Sequence, residues 1–282
     1  MTSRRPTRRP GRSRAPIAVV VLASVTVVFF LVPFLGLVWR APWSDLGSVL
    51  GAAEVRTALW LSLRTSLAST LLATVFGVPL AWMLARVGFP GRGLVRAIAT
   101  MSMVLPPVVG GVALLFSFGK GGIVGRTLDQ WFGFQFSFTL WGVILAQTFV
   151  SMPFLVLSVE GAIQQLDVRF EDAARTLGAS PWYTLRRVTL PAVRSGLAAG
   201  MALAWARAFG EFGATITFAG NFPGRTQTIS IATYLALDVD QRQAMALSLV
   251  MIGVSLLVLV GLRDRWLGRP ASPSTAAGRV LQ

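Results

Sequence analysis

Residues 167–191, DVRFEDAARTLGASPWYTLRRVTLP, lie between two long apolar segments and predict two short helices joined by a turn. Asp167 is a candidate cap for the first helix, and Gly178 suits the left-handed position that follows a helix end. Ser180 suits the cap of the second helix, with Pro181 in its first turn. Apolar residues recur at helical spacing on one face of each helix: Phe170, Ala173, Ala174 and Leu177, then Trp182, Leu185 and Val188. We call this stretch the helical knob, and its shape suits a groove in a partner protein.

The segments on either side of the knob are long enough to cross a membrane. A helix of about 20 apolar residues, rising about 1.5 Å per residue, spans the roughly 30 Å hydrocarbon core of a bilayer. Six segments meet this requirement and predict six membrane-spanning helices: 17–38, 65–85, 97–118, 138–159, 195–218 and 243–262. The first follows a basic tail, as a secretory leader does, but it is longer than the apolar core of such a leader and no small-residue cleavage motif follows it. We therefore expect it to be retained as a helix.

The basic residues predict the orientation of these helices. If the N-terminus is cytoplasmic, 18 of the Lys and Arg residues lie on the cytoplasmic side and 7 on the other side. This asymmetry is typical of a membrane protein with both termini in the cytoplasm. We therefore expect a disordered basic tail at 1–16, a membrane domain at 17–266 with a cytoplasmic loop at 160–194, and a cytoplasmic tail at 267–282.

Composition argues against several classes of function. Hydrophobic residues make up 54% of the chain and charged residues only 13%, whereas about 25% of a soluble domain is charged. The net charge of +15 comes from residues in the gaps between apolar segments, a pattern of membrane topology rather than of nucleic-acid binding. The absence of Cys and His removes disulfides, thiolate metal sites and histidine-based catalysis. Carboxylate-based catalysis stays possible but finds little support in the sequence, and we expect no metal site, no catalytic residue and no cofactor in this chain. A phosphate-binding G-x-x-x-x-G-K-[ST] loop is also absent, so any ATP hydrolysis is expected in a separate subunit.

Proline and glycine residues give two of the predicted spans special features, a bend in one and a close helix contact in the other. Pro106 and Pro107, followed by a glycine pair, predict a bend or break near the middle of segment 97–118. This bend is either a structural kink or a contribution to the shape of a pore. In segment 195–218, Gly196 and Gly200 form a GxxxG motif among alanines and predict close contact with another helix, within the bundle or at a dimer seam.

Arg207 and Glu211 lie four residues apart in segment 195–218 and therefore share one face of a helix. Charged residues within a membrane usually face a cavity or each other. The pair is interpreted either as a lining or gate of a translocation pathway, or as an internal ion pair that fixes helix packing across subunits, and we favour the structural role. Thr215, Thr217 and Asn221 lie nearby and could supply hydrogen bonds to an oxyanion.

The knob also resembles a known motif. Its residues match, with complete spacing, the E-A-A-x3-G-x9-I-x-L-P loop of bacterial ABC importer permeases: Asp172, Ala173, Ala174, Gly178, Val188, Leu190 and Pro191. Asp172 stands where Glu is usual, and Val188 stands where Ile is usual. In that family the loop supplies a coupling helix that sits in a cleft of the ATP-binding subunit. The resemblance therefore implies an ATPase-coupling role for Asp172, Ala173, Ala174, Gly178, Leu190 and Pro191.

A second resemblance narrows the substrate. Residues 205–228, WARAFGEFGATITFAGNFPGRTQT, look like the A-R-A-x-G-E-F-G-A-T…A-G-N-x-P-G-x-T-x-T stretch of molybdate importer permeases. Residues 105–111, LPPVVGG, are similar to the same group. Sulfate permeases have a related stretch, so sulfate, thiosulfate and tungstate stay open as alternatives. In such importers tight selectivity resides in an external binding protein, so we expect no high-affinity site in this chain.

Taken together, the resemblances imply an all-α permease with the type I ABC importer fold, in the cytoplasmic membrane of a bacterium. The implied partners are a second permease copy, two ATP-binding cassette ATPase subunits and an extracytoplasmic substrate-binding protein. An ion-coupled secondary transporter is the first alternative, but it would need inverted repeats and ionisable residues at the midplane, and no clear repeat is visible. A membrane enzyme or sensor is the second alternative, and it would need a set of polar catalytic groups or a long soluble domain.

Overall fold

Long apolar segments form the framework of the structure, a computed structural model that describes residues 16–266. The helices long and apolar enough to cross a membrane are α1 (Ile17–Arg40), α3 (Ala53–Arg86), α7 (Leu140–Gln165) and α14 (Gln241–Trp266). Between residues 16 and 266 there is no β-strand, so the all-α prediction is confirmed. The predicted tails at 1–16 and 267–282 lie outside the described residues, apart from Pro16.

Shorter helices connect the long helices and pack against them. On the first half of the chain they are α2 (Leu46–Gly51), α4 (Arg92–Val104), α5 (Pro107–Phe118) and α6 (Ile123–Phe132). The helical knob contains α8 (Arg169–Thr176), α9 (Pro181–Thr184), a π-helical turn (Leu185–Thr189) and the start of α10 (Leu190–Ala192). The remaining helices are α11 (Arg194–Phe209), α12 (Gly213–Ala219) and α13 (Ile229–Val239).

Segment 97–118 is divided into two helices, α4 and α5. The chain bends by 118° between α4 and α5. Leu105 and Pro106 adopt extended backbone, with ψ of 137° and 132°, because each precedes a proline that disfavours helical geometry. The predicted break is therefore confirmed, and it is far larger than a kink. The pair would count as a fifth membrane span if it crosses as one unit.

Segment 195–218 is likewise divided. Helix α11 ends at Phe209 and α12 begins at Gly213, and the 16 residues of α11 are fewer than the roughly 20 needed to cross a bilayer. The break occurs because Glu211 leaves the helical path and its side chain accepts the backbone N–H of Ala214, at 2.7 Å, in the first turn of α12. The expectation of one continuous fifth span was wrong for this segment.

Helix α7 is the centre of the bundle. In the part of the chain described, 67% of its apolar span is buried, compared with 0% for α1. It packs along α3 and α11, and also against α12. The core between α3 and α7 includes the fully buried residues Ala81, Leu84, Leu155, Val159 and Ile163. Residues of α1 expose their apolar side chains throughout, as expected of a helix whose natural solvent is lipid.

Glycines allow two of these helix contacts. A Cβ built on Gly196 would lie 2.4 Å from the Ala162 Cβ of α7, and one on Gly200 would lie 3.1 Å from the Ser158 Cβ. The GxxxG prediction of close helix contact is therefore confirmed, with α7 as the partner. Similarly, a Cβ on Gly111 of α5 would lie 2.8 Å from the Ala214 carbonyl oxygen of α12.

Candidate functional site

The turn of the helical knob has the geometry that its sequence predicts. Gly178 has φ of +83°, and its N–H donates to the Arg175 carbonyl at 2.9 Å. The N–H of Ala179 donates to the Ala174 carbonyl at 3.0 Å, which completes the hydrogen-bond pair of a Schellman helix end. Ser180 Oγ then accepts the N–H of Tyr183 at 3.2 Å and caps α9. These local bonds make α8 and α9 a defined projection.

The helical path that begins with the four residues of α9 continues beyond them. The chain continues from α9 through the π-helical turn and α10 before α11 begins at Arg194. A π-helical turn adds one residue to a helical circuit and often marks a functional position. Leu190 packs against the α3–α7 core, whereas Pro191 is exposed. The second half of the knob is therefore continuous with a helix of the bundle.

The outward face of the knob carries large apolar side chains. Leu177 is 89% exposed, Trp182 is 65% exposed and Phe170 is 62% exposed. Asp172 and Ala173 are exposed beside them. Asp172 Oδ1 lies 3.5 Å from Arg175 Nη1, but both side chains are about half exposed, so this pair contributes little stability. An apolar patch with a few charges around it indicates a surface for binding another protein.

The opposite face of the knob is fastened by a buried carboxylate that sequence reasoning missed. Glu171 is 1% exposed, and its Oε2 lies 2.7 Å from Arg86 Nε at the end of α3. Its Oε1 accepts the Thr189 hydroxyl at 2.6 Å. Arg86 Nη2 also donates to the Leu166 carbonyl, at 3.0 Å, where α7 ends. One carboxylate thus joins α8 to α3 and to the π-helical turn.

A second ion pair with a buried carboxylate lies near the same end of the bundle. Arg96 of α4 pairs with Glu160 of α7, whose side chain is 5% exposed. Gln164 Nε2 donates to the same Glu160 Oε1 at 3.0 Å. This pair fastens α4 to α7 and does not touch the knob residues.

Arg207 and Glu211 form an ion pair within the chain, and the favoured role of this pair in fixing helix packing across subunits stays a prediction. Arg207, 27% exposed, pairs across the α11–α12 break with Glu211, which is 1% exposed. Because the other Glu211 oxygen caps α12, the carboxylate holds the ends of two helices together. Thr215 is buried in α12, and no hydrogen bond among residues 16–266 joins Thr215 or Asn221 to this pair. A role for these four residues in a translocation pathway stays a prediction.

Comparisons with known proteins agree with this geometry. Residues 77–270 match the protein family described as binding-protein-dependent transport system inner membrane component. The chain is 42% identical over 254 residues to the molybdenum transport system permease protein ModB of Mycobacterium tuberculosis, covering 89% of this chain and 94% of that protein. It is 41% identical over 212 residues to the protein of the same name from Escherichia coli K12, covering 75% and 93%.

A more distant relative and a solved structure extend the comparison. The sulfate transport system permease protein CysT of Escherichia coli K12 is 34% identical over 218 residues, covering 77% of this chain and 78% of that protein. A bacterial ABC transporter involved in the import of the acidic polysaccharide alginate has a chain with a TM-score of 0.66 and 18% identity, covering 88% and 93%. That likeness concerns the fold. The chain belongs to the family of binding-protein-dependent transport system inner membrane components.

Proposed function

We propose that this chain is the permease subunit of an ATP-driven importer that carries molybdate across the cytoplasmic membrane. The observation that carries the proposal is the helical knob, which combines an exposed apolar face at Leu177 with a buried anchor at Glu171. A projection of this kind receives a partner on one side and is fixed to the membrane bundle on the other. The identity of 42% and 41% to two molybdenum permeases over most of the chain supports the same function.

The energy is proposed to come from a separate ATPase subunit that binds the knob. The sequence has no G-x-x-x-x-G-K-[ST] loop, so hydrolysis in this chain is not expected. Asp172, Ala173, Ala174 and Gly178 are the proposed contact residues, with Leu190 and Pro191 at the junction to the bundle. Their positions support this assignment, because Asp172 and Ala173 are exposed and Leu190 reaches the core.

The proposed assembly contains two copies of this chain, two ATPase subunits and an external binding protein. A single copy supplies one set of spans and one knob, so a second copy completes a pathway between bundles. ATP-driven closure of the ATPases would bring the two knobs together and rock the bundles, which alternates access to the pathway. The binding protein would deliver the oxyanion and supply its tight selectivity, and the permease itself would need no cofactor.

The proposed orientation places both termini and the knob in the cytoplasm. The distribution of 18 basic residues on that side against 7 on the other supports it. The knob is also adjacent to the ends of α3 and α7, where Arg86 contacts both α8 and Leu166. Single cysteines introduced at either terminus of the protein test this orientation. If a membrane-impermeant label reacts with them in intact cells, the orientation is contradicted.

The substrate is proposed as molybdate, with sulfate, thiosulfate and tungstate as related alternatives. The relatives named for molybdenum share 42% and 41% identity, compared with 34% for the relative named for sulfate. Molybdate and tungstate have nearly the same size and charge, so the permease alone is not expected to separate them.

Reconstitution of the full chain with its ATPase and binding protein in liposomes tests the proposal. We expect ATP hydrolysis and uptake to rise when the binding protein carries molybdate or tungstate. Stimulation by sulfate alone would overturn the substrate. Uptake at full rate without nucleotide, which collapses when the proton gradient is removed, would instead indicate an ion-coupled transporter.

A further inference from the structure

The buried anchor of the knob connects more elements than the fold of the knob requires. Glu171 forms an ion pair with Arg86 through one oxygen and accepts the Thr189 hydroxyl through the other. Arg86 is the last residue of α3, and Thr189 lies in the π-helical turn that leads through α10 into α11. Both α3 and α11 pack on the central helix α7. A single carboxylate therefore connects α8 to both α3 and α11.

Burial makes this connection difficult to break. Glu171 is 1% exposed and the Arg86 side chain is 10% exposed, so water competes little for either group. The guanidinium is planar and rigid, and it holds Glu171 and the Leu166 carbonyl at the same time. Breaking such a pair leaves a charge without its partner in a poorly solvated place. The geometry thus resists separation of α8 from α3.

Helix α3 extends the connection to the far end of the bundle. Ser62 of α3 is fully buried, and its Oγ accepts the N–H of Ile229 at 2.8 Å, at the first residue of α13. The helix between Ser62 and Arg86 corresponds to roughly 36 Å at about 1.5 Å per residue. This is comparable to the thickness of a bilayer core, about 30 Å. One helix therefore links the knob to the start of α13.

We propose that Glu171 is a positioning residue that transmits the movement of the knob to α3 and α11, and through α3 to the start of α13. The inference rests on the proposed function, because it concerns how ATPase movement at the knob becomes transport. Glu171 itself faces away from the exposed apolar patch and is not a proposed ATPase contact. Its loss is therefore expected to separate ATP hydrolysis from uptake, rather than to prevent assembly.

The test compares three variants of the anchor in the reconstituted full complex. Glu171→Gln removes the charge, Thr189→Val removes the hydroxyl with little change in volume, and Arg86→Lys keeps the charge but cannot hold Glu171 and Leu166 together. The measurement is the amount of molybdate imported per ATP hydrolysed, together with the amount of ATPase bound. We expect binding within about twofold of the unsubstituted protein and, for Glu171→Gln, a ratio of uptake to hydrolysis reduced by at least about fivefold, the lower end of ordinary coupling between sites.

Glu160→Gln is the matched control, because Glu160 is a comparably buried carboxylate, 5% exposed, whose ion pair with Arg96 joins α4 to α7 without contacting the knob. It is expected to keep the normal ratio of uptake to hydrolysis. If Glu171→Gln does not assemble with the ATPase, the Thr189→Val variant provides the test. A reduced ratio of uptake to hydrolysis in Thr189→Val supports the proposal. A normal ratio in every assembled anchor variant, or an equal loss in the control, would overturn it. Failure of the unsubstituted complex to couple ATP to uptake would refute the proposed function instead.

Discussion

Gly196 of α11 faces Ala162 of α7 so closely that a Cβ built on the glycine would lie 2.4 Å from the alanine Cβ. Real Cβ atoms do not approach to this distance, so any larger residue must push the two helices apart. Because α7 is the centre of the bundle, the position of α11 depends on this contact.

Gly196→Ala is expected to destabilise the protein by about 1–3 kcal/mol, the usual cost of overpacking. Gly253→Ala in α14 is the control, since a Cβ there meets nothing within 4 Å and alanine favours a helix by about 1 kcal/mol over glycine. Thermal unfolding of the detergent-solubilised protein measures both. An unfolding temperature for Gly196→Ala as high as that of the control would contradict the observed contact.

Gly178→Pro is expected to abolish ATPase association while leaving membrane insertion intact. Proline requires φ near −65°, whereas Gly178 has φ of +83° and donates its N–H to the Arg175 carbonyl. Gly91→Pro is the control, because Gly91 has φ of +84° and also has open space around its Cβ position, but it lies outside the knob. Co-purification with the ATPase measures the effect. Equal loss in both variants would show that the defect is not specific to the knob.

Leu177→Asp is expected to weaken ATPase binding by about tenfold or more, as loss of a central apolar contact does in other interfaces. Val239→Asp at the end of α13 is a matched control, because Val239 is 88% exposed and Leu177 is 89% exposed. Affinity can be measured by titrating labelled ATPase onto the permease in nanodiscs. If the two substitutions weaken binding to the same extent, the apolar patch of the knob is not the ATPase surface.

Glu211→Gln is expected to destabilise the protein by about 1–3 kcal/mol, less than for a fully buried pair because Arg207 is 27% exposed. The double variant Arg207→Met with Glu211→Gln removes the unpaired charge and is expected to regain much of this stability. If the pair has only a structural role, transport recovers together with stability. Restored stability with no transport would assign the pair to the translocation pathway.

Features that depend on neighbouring residues could be predicted from the sequence. The left-handed Gly178, the Ser180 cap and the close contact made by Gly196 follow from backbone geometry and side-chain size alone. The break at Pro106 was also predicted, since proline acts on its immediate neighbour. Its angle of 118° was not, because the packing of α5 against α12 sets that angle.

By itself, the sequence determined that this protein is an all-α membrane bundle with a helical knob, because hydropathy, caps and turn residues act over a few positions. Only the tertiary structure decided how the knob is attached. Glu171 and Arg86 stand far apart in the chain, and no local pattern distinguishes Glu171 from the exposed Asp172 beside it. The division of segment 195–218 was likewise decided in three dimensions, where the Glu211 carboxylate binds both Arg207 and the start of α12. Pairing between distant charges depends on the shared burial of their helices, which exists only once the bundle has packed.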